Sequence, residues 1–365
     1  MPNKRPCVGH VATLLCPTYG FQNDNRAYEA LLQDFAIIYH AMLPCPLYNP
    51  CHRIVLLLSI CLLSACSAKH VVEPADVIHE QAHSGGSVVA FSQSGDLMVS
   101  GGWEGAVQLW RLPDGERIAR WHAHADSVNG LAFVTAGRHV LTAGYDGALA
   151  EWTLGGEPVR RIETPAPVTH MVASESHGRA LTGHADGSVR VWRLADLRLL
   201  ETQALHRGAV KAVALDPQTL RYASSGSDGT VFTWDEGGAV RALAPPPMDA
   251  WSLVFSPDGE QLYGGTWFRL LRWDLGNGVF TSLPTAHHGI IRSLQFTGDG
   301  DTLASISRQT DSAVYFLDPE TGGVMRRFQK HDLCGAAVAV SPKGRYLATT
   351  SDDASVRIWL LQPGD

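Results

Sequence analysis

The feature that most constrains the fold of this 365-residue chain is a landmark residue that recurs about every forty positions. Six of the seven landmarks are tryptophan, one is leucine, and the intervals between them run from 39 to 44 residues. A repeat of this length is one unit of secondary structure that buries its apolar faces only by stacking on its neighbours. The landmarks are Trp110, Trp152, Trp192, Trp234, Trp273, Leu317 and Trp359.

Each repeat has the same internal order, which predicts β-strands joined by tight turns. An apolar strand is followed by a strand ending in Ser or Thr, a turn containing Asp-Gly, and a strand ending in the landmark, as in "LTAGYDGALAEW" (141–152) and "ASSGSDGTVFTW" (223–234). Together these elements resemble the WD-repeat family. The resemblance implies an all-β fold, a seven-bladed β-propeller of four-stranded antiparallel blades.

A second set of positions supports this register. An acidic residue lies six positions before the landmark, a Ser or Thr lies four positions before that, and a histidine lies 28 positions before the landmark. In the family these groups form a buried hydrogen-bonded tetrad. Three blades carry the full set: His124, Thr142, Asp146 and Trp152 in blade two; His206, Ser224, Asp228 and Trp234 in blade four; His331, Thr349, Asp353 and Trp359 in blade seven.

These sets contain the residue types of a serine hydrolase triad, but the same constellation recurs three times at equal spacing. Recurrence is expected of a structural network and not of one active site, and no Gly-x-Ser-x-Gly motif is present to expose a serine nucleophile. We therefore predict no catalytic residues and a protein that is not an enzyme.

Blades five and six depart from the pattern. Blade five has Trp267 at the aspartate position and Tyr263 at the Ser/Thr position, and blade six inserts two residues around Arg308-Gln309. The chain also ends just past Trp359, so the outermost strand of blade seven is missing from the C-terminus. We expect residues 76–80 to supply that strand and close the ring, which leaves no sheet edge unpaired at the junction. The predicted propeller then spans residues 76–361.

The N-terminal region of the chain has the pattern of a targeting signal. Residues 54–64 form an uncharged apolar run of eleven, too short to span a bilayer but suited to the core of a secretory signal peptide. The run leads into Leu63-Ser64-Ala65-Cys66, which resembles the lipobox of bacterial lipoprotein precursors. The resemblance implies that Cys66 is lipidated and becomes the mature N-terminus.

A start at Met42 gives a signal of ordinary length, so we interpret residues 1–41 as an over-extended gene start, 42–65 as the signal peptide and 66–75 as a tether. Ser67 resembles the sorting signal for the outer membrane of a Gram-negative cell, so the expected location is the bacterial cell envelope, facing the periplasm. The alternative is a cytoplasmic protein whose N-terminal extension simply contains two apolar stretches.

In WD-repeat proteins the loops beside the central channel commonly contact partners. Five residues after the histidine position, the register places Ser87, Asn129, Thr169, Lys211, Trp251, Arg292 and Ala336 near the channel mouth. The residue before the turn aspartate adds Trp103, Tyr145 and Asp352 to the same face. Tryptophan, tyrosine and arginine dominate interface energetics. The candidate partner-binding residues are therefore Trp103, Tyr145, Lys211, Trp251, Trp267 and Arg292.

We hypothesise that Lys211, Trp251, Trp267 and Arg292 form a cationic and aromatic patch for an acidic peptide, a protein segment or an anionic glycan. The alternative is that the two tryptophans only pack in an irregular blade. His122 with His124 and His287 with His288 lack a carboxylate or thiol at metal-ligand spacing, and His124 already belongs to a tetrad. We therefore expect no metal and interpret the other histidines as solvated loop residues.

No phosphate loop or cofactor fingerprint is present, and a net charge of -7 without basic runs argues against nucleic acid as a partner. The sequence favours a monomeric, non-enzymatic scaffold that is lipid-anchored in the envelope and binds other envelope proteins or peptides, with a role in envelope assembly or maintenance. The alternatives are an envelope hydrolase or lyase acting at the channel mouth and a cytosolic scaffold.

Overall fold

The computed structural model describes residues 71–361, which contain 29 β-strands and no α-helix. Two short strands come first, β1 (Val72–Glu73) and β2 (Val77–His79). The other strands follow in seven successive sets that form the predicted seven-bladed propeller of four-stranded antiparallel blades, and the expectation of an all-β fold is confirmed.

The first four blades take their strands in chain order. They are β3 (Gly86–Phe91), β4 (Leu97–Gly102), β5 (Ala106–Arg111) and β6 (Glu116–His122) in blade one; β7 (Val128–Val134), β8 (His139–Gly144), β9 (Ala148–Thr153) and β10 (Pro158–Glu163) in blade two; β11 (Val168–Ser174), β12 (Arg179–His184), β13 (Ser188–Arg193) and β14 (Arg198–Ala204) in blade three; β15 (Val210–Leu215), β16 (Arg221–Gly226), β17 (Val231–Asp235) and β18 (Arg241–Ala242) in blade four.

The remaining blades follow the same order. They are β19 (Ser252–Phe255), β20 (Gln261–Gly265), β21 (Arg269–Asp274) and β22 (Phe280–Pro284) in blade five; β23 (Ile290–Phe296), β24 (Leu303–Arg308), β25 (Val314–Leu317) and β26 (Val324–Phe328) in blade six; β27 (Gly335–Val340), β28 (Tyr346–Ser351) and β29 (Val356–Leu360) in blade seven. The first strand of each blade lines the central channel.

Strand β2 completes blade seven, as the sequence predicts. It pairs antiparallel with β29, Val77 opposite Ile358 and His79 opposite Val356. The segment before it was expected to be a tether, yet β1 adds a fifth, parallel strand to blade six, with Glu73 opposite Phe328. The carboxylate of Glu73 also pairs with the guanidinium of Arg326, at 2.6 Å. The N-terminal segment therefore binds the outer strands of two neighbouring blades.

The core consists of seven apolar clusters, and each is shared by two neighbouring blades. The cluster that contains Met98 and Trp110 of blade one also contains Ala348 and Ile358 of blade seven, so the first and last blades pack together. Because every blade is packed on both faces, its second and third strands are buried almost throughout. The strands alternate little between apolar and polar residues for this reason.

The turn between the second and third strands of each blade requires a backbone with positive φ. Gly187 has a φ of 82°, and a Cβ there would lie 2.2 Å from the carbonyl oxygen of His206. Blade five has Phe268 at this position with a φ of 63°, and blade seven has Ala354 with a φ of 68°. A bulky residue with positive φ is a conformational outlier that stores strain. The turn of blade five is thus unlike those of its neighbours.

Candidate functional site

The predicted tetrads can be followed from their hydrogen bonds, and blade two has the complete chain. The indole Nε1 of Trp152 donates to Thr142 Oγ1 over 3.0 Å, His124 Nε2 lies 2.7 Å from the same oxygen, and His124 Nδ1 lies 2.9 Å from Asp146 Oδ1. Because a carboxylate only accepts, the imidazole proton lies on Nδ1 and the threonine hydroxyl donates to Nε2. Asp146 also accepts from the backbone amide of Ala125, at 3.0 Å. The network links the turn between the second and third strands of a blade to the loop that precedes its first strand.

Blade one has an equally complete tetrad that the sequence comparison did not count as full. His83 lies 2.9 Å from Glu104 and 2.8 Å from Ser100, and Trp110 donates to Ser100 over 2.8 Å. Glu104 takes the place of aspartate and also accepts from the amide and hydroxyl of Ser84, at 3.1 Å and 2.9 Å, much as Asp146 accepts from the amide of Ala125. The register did not count it because His83 lies 27 positions before Trp110, whereas the tetrad histidines of blades two, four and seven lie 28 positions before their landmarks.

The tetrads of blades four and seven keep their His, Ser/Thr and Asp contacts but not the tryptophan bond. Trp234 Nε1 is buried without a hydrogen-bond partner among the described residues. Trp359 Nε1 donates instead to the carbonyl oxygen of Glu73 in β1, at 3.2 Å. The histidine bonds remain: His206 lies 2.8 Å from Ser224, and His331 lies 2.7 Å from Thr349.

Blades three and six contain variants of the same network. His184 on the strand itself contacts Thr182 over 2.8 Å, and Trp192 donates to that threonine over 2.8 Å. In blade six, His287 is 2% exposed and contacts Ser305 over 2.8 Å, so the expectation that His287 is a solvated loop histidine is wrong. The insertion in this blade moves Asp311 into the acidic role, with Oδ2 3.7 Å from His287 Nδ1.

Burial determines the protonation of these histidines. It lowers the pKa of His124, His206 and His331, although their partner carboxylates oppose the shift. Burial disfavours ionisation of Asp353, yet hydrogen bonds from His331 and Ser355 hold its pKa well below the usual range. Neutral imidazole beside ionised carboxylate is therefore the resting state. The groups are saturated with structural hydrogen bonds, which is the arrangement of a scaffold network.

The central channel has a volume of about 860 Å³. Five of the seven residues predicted near its mouth contribute to its lining; they are Ser87, Asn129, Thr169, Arg292 and Ala336. The other two, Lys211 and Trp251, contact each other beside it: the ammonium group lies 3.7 Å from the indole centroid. Most of the remaining lining residues come from the seven innermost strands, and they include the polar side chains of His170, Glu175 and Gln295.

Lys211 does not contribute a free positive charge. Its ammonium group also forms an ion pair with the carboxylate of Asp249, and the lysine side chain is 13% exposed. The sequence could not anticipate this pairing because Asp249 lies in the loop of the following blade, 38 residues away. Arg308 is likewise paired, 2.8 Å from Asp352. Of the two cations predicted for the patch, only Arg292 therefore has no ion-pair partner among the described residues.

Large aromatic side chains are exposed on the turns between the second and third strands. Trp103 of blade one is 45% exposed, Tyr145 of blade two 42%, and Phe268 of blade five 46%. Trp267 is half-buried, with its ring centroid 5.4 Å from that of Phe268. These turns lie at the end of the propeller at which the channel-lining strands begin, so the rings and the channel mouth are on the same face. Phe268 was missed by the sequence reasoning, although an aromatic residue at a glycine position was a visible signal.

Some of the predictions concern residues that the structure does not describe. Cys66 and the segments 1–41 and 42–65 lie outside the described residues. Within 71–361, no helix is long and apolar enough to cross a membrane. In the same range, no group of three or more His, Cys, Asp and Glu residues is arranged to hold a metal ion.

The amino-acid sequence matches a family model and several curated proteins. A family model described as WD domain, G-beta repeat matches residues 76–111, 115–153, 156–193, 198–235 and 322–359. The matched segments leave out residues 236–321, which include the two blades whose sequences depart from the pattern.

Curated relatives match over the repeats. Striatin-4 of Mus musculus is 26% identical over 66% of this chain and 36% of its own length. Pre-mRNA-processing factor 17 of the same organism is 24% identical over 75% of the chain and 49% of its own length. Small ribosomal subunit protein RACK1y of Oryza sativa is 30% identical over 51% of the chain and 59% of its own length. The alignments cover less than two thirds of each relative.

Proposed function

Because this chain belongs to the WD40 repeat family, whose model matches five of its blades, we propose that it is a non-enzymatic scaffold that binds a protein partner across the channel-mouth face. We define this face by Trp103, Tyr145, Trp267, Phe268 and Arg292. The finer part of the proposal is that the scaffold is lipid-anchored in a bacterial cell envelope and takes part in envelope assembly or maintenance.

The observation that carries the binding role is the exposure of three aromatic side chains on equivalent turns of one face. Trp103, Tyr145 and Phe268 are each more than two-fifths exposed, which leaves large apolar rings in water. Such rings are the side chains that most often dominate interface energetics. The backbone strain at Phe268 supports a functional reason for the ring, because a glycine there would relieve it.

The names of the relatives support a binding role by analogy. One is a protein of the small ribosomal subunit and another a pre-mRNA-processing factor. The charged residues of the channel lining also support a scaffold, because Arg292 and Glu175 are the only ones within the described chain and they lie on different blades. A scaffold requires no acid and base held together, whereas a hydrolase or lyase does.

The envelope location is supported by the sequence at Cys66 alone. Cys66→Ala in the full chain should abolish fatty-acid labelling and move the protein from the membrane to the soluble fraction, with Cys61→Ala as the matched control. Equal labelling of wild type and Cys66→Ala would contradict anchoring at this residue.

Crosslinking in cells followed by capture of the membrane-bound protein tests the scaffold role. We expect reproducible protein partners, fewer of them when Trp251 and Arg292 are both replaced by alanine, and unchanged folding. Full partner capture by the folded double variant would contradict binding at this side of the mouth.

A further inference from the structure

Among the described residues at the channel mouth, Arg292 is a cation with no carboxylate within ion-pair distance, whereas Lys211 and Arg308 are paired. We propose that Arg292 is the binding site for a single carboxylate, carried on a partner segment that enters the channel. The inference rests on the proposed function, because the carboxylate belongs to the partner. It names the partner's chemistry: a segment with a glutamate, an aspartate or a free C-terminus at its tip.

The guanidinium of Arg292 uses few of its donors within the described chain. Within residues 71–361, its one hydrogen bond runs from Nη1 to the carbonyl oxygen of Trp251, at 3.4 Å, and no carboxylate lies within ion-pair distance. A guanidinium has five N–H donors in a fixed fork that matches a carboxylate. Burial and the charge of Arg308 lower the pKa of Arg292 to about 10, against the opposing effect of Asp352. It remains ionised at neutral pH, and because the side chain is only partly buried, its remaining donors are accessible from the channel.

Two neutral donors line the same channel. Thr169 Oγ1 is buried without a hydrogen-bond partner among the described residues. His170 Nδ1 accepts from the backbone amide of Val213 over 3.3 Å, so the proton of the neutral imidazole lies on Nε2. Burial, reinforced by the charge of Arg292, lowers the pKa of His170 to about 3, and the ring is neutral at any physiological pH. The lining therefore offers unused N–H and O–H donors together with one positive charge.

The charges along the channel favour entry of an anion from the mouth. Arg292 is the third residue of β23 and lies at the mouth, whereas Glu175 follows the end of β11, six residues beyond Thr169. Six residues of strand span about 20 Å, so the two charges lie at opposite ends. A carboxylate entering from the mouth meets Arg292 first and stays far from Glu175.

The number of charges identifies the ligand as a carboxylate. One guanidinium neutralises one negative charge, and a carboxylate has up to four acceptor positions for the fork and the neutral donors. A phosphate monoester would leave a second charge uncompensated in a partly buried channel. A volume of about 860 Å³ accommodates a few side chains of an extended segment and excludes a folded domain.

Fluorescence anisotropy with a fluorescein-tagged hexaglutamate peptide tests the proposal, with tagged hexaglutamine as the neutral probe. We expect wild-type full chain to bind hexaglutamate at least tenfold more tightly than hexaglutamine. Arg292→Gln should lose at least tenfold of the hexaglutamate affinity and none of the thermal stability. The matched control is Arg198→Gln, because Arg198 is exposed on the outer strand β14; it should bind like wild type. Thr169→Val, which keeps the shape and removes the unpaired hydroxyl, should weaken binding severalfold.

Equal affinity of wild type and Arg292→Gln for hexaglutamate would overturn the proposal, as would equal or absent binding of both probes to wild type. The result is separable from the proposed function. If Arg292→Gln captures the same partners in cells as wild type, only the carboxylate site fails. If wild type captures no partner, the scaffold role fails.

Discussion

The indole Nε1 of Trp359 donates a hydrogen bond of 3.2 Å to the backbone carbonyl of Glu73, 286 residues earlier in the chain. In blades one and two the equivalent indole binds the Ser or Thr of its own tetrad. Blade seven has exchanged that local bond for one to β1, whose Glu73 carboxylate also forms two hydrogen bonds with Arg326 of blade six. The start of the propeller is thereby joined to both of its last two blades.

Replacement of Glu73 by glutamine should lower the free energy of unfolding by about 1 kcal/mol, because a bidentate and partly buried ion pair is lost. The matched control is Asp196→Asn, which breaks the exposed Arg193–Asp196 pair and should change stability less, because solvent screens an exposed ion pair. Urea unfolding of both variants measures the difference. Equal effects would show that the β1 contact adds nothing beyond a surface pair.

Trp110→Phe should destabilise the protein more than Trp234→Phe, by about 1 kcal/mol. Both indoles are buried, but only that of Trp110 has a hydrogen-bond partner, the hydroxyl of Ser100. Replacing Trp110 by phenylalanine removes the indole N–H and leaves this buried hydroxyl with one hydrogen bond fewer. Because both changes remove the same atoms, the packing cost largely cancels in the comparison. Denaturant midpoints measured side by side test this, and a larger loss for Trp234→Phe would contradict the hydrogen-bond assignment.

Stability should fall as the pH is lowered, in two stages. Burial lowers the pKa of His184 from 6.5 to about 4, so between these values the unfolded chain takes up a proton that the folded chain refuses. Each such histidine contributes up to about 1.4 kcal/mol per pH unit. Burial opposes ionisation of Glu104, but hydrogen bonds from His83 and from backbone amides lower its pKa from 4.5 to about 2. Its contribution is present above pH 4.5 and is lost as the pH falls towards 2.

The measurement is the free energy of urea unfolding from pH 7 to pH 3. His184→Gln should be less stable at pH 7 but show a shallower decline between pH 6.5 and 4 than wild type. The exposed His122 provides the control, since His122→Gln should leave the profile unchanged. An unaltered slope in His184→Gln would mean that folding does not lower the pKa of this histidine.

Phe268→Gly should stabilise the fold and weaken partner binding. Glycine adopts a φ of 63° without strain, so we expect a gain of up to about 1 kcal/mol, reduced by lost contacts with Trp267. Ala354→Gly makes the same backbone change in blade seven, at a φ of 68°, and should stabilise without affecting binding. Thermal unfolding and partner capture separate the two effects. Loss of stability in Phe268→Gly would show that the ring serves the fold.

The sequence predicts the ring of blades well because the same pattern of residues occurs in seven repeats. Seven landmarks agree on one register, and residues 76–80 precede the first repeat as the outer strands of other repeats precede theirs, which predicts the pairing of β2 with β29. Strand β1 has no such signal, since two residues leave no period to detect and their pairing is parallel to a distant strand. The role of Glu73 is therefore a property of the folded chain.

The site is predicted less completely, for reasons of charge and exposure. Register identifies the residues at the channel mouth, but the ion pair of Lys211 with Asp249 depends on the loop conformation. His287 was not recognised as a tetrad histidine because the insertion in blade six puts it 30 positions before Leu317 and not 28. Asp311, six positions before the same landmark, lies 3.7 Å from it in the folded chain. The spacing of residues in the repeat identifies which side chains lie at the channel mouth, but it does not show which of their charges are paired.

Site-specific photocrosslinking in cells tests the central claim that the channel-mouth face binds a protein partner. A photoreactive residue is placed at Trp103 or Phe268, and for control at Val279, which is 56% exposed on the turn between β21 and β22 at the opposite end of the propeller. We expect discrete protein adducts from the first two positions and none from Val279. Adducts of equal yield from all three positions, or from Val279 alone, would contradict the account.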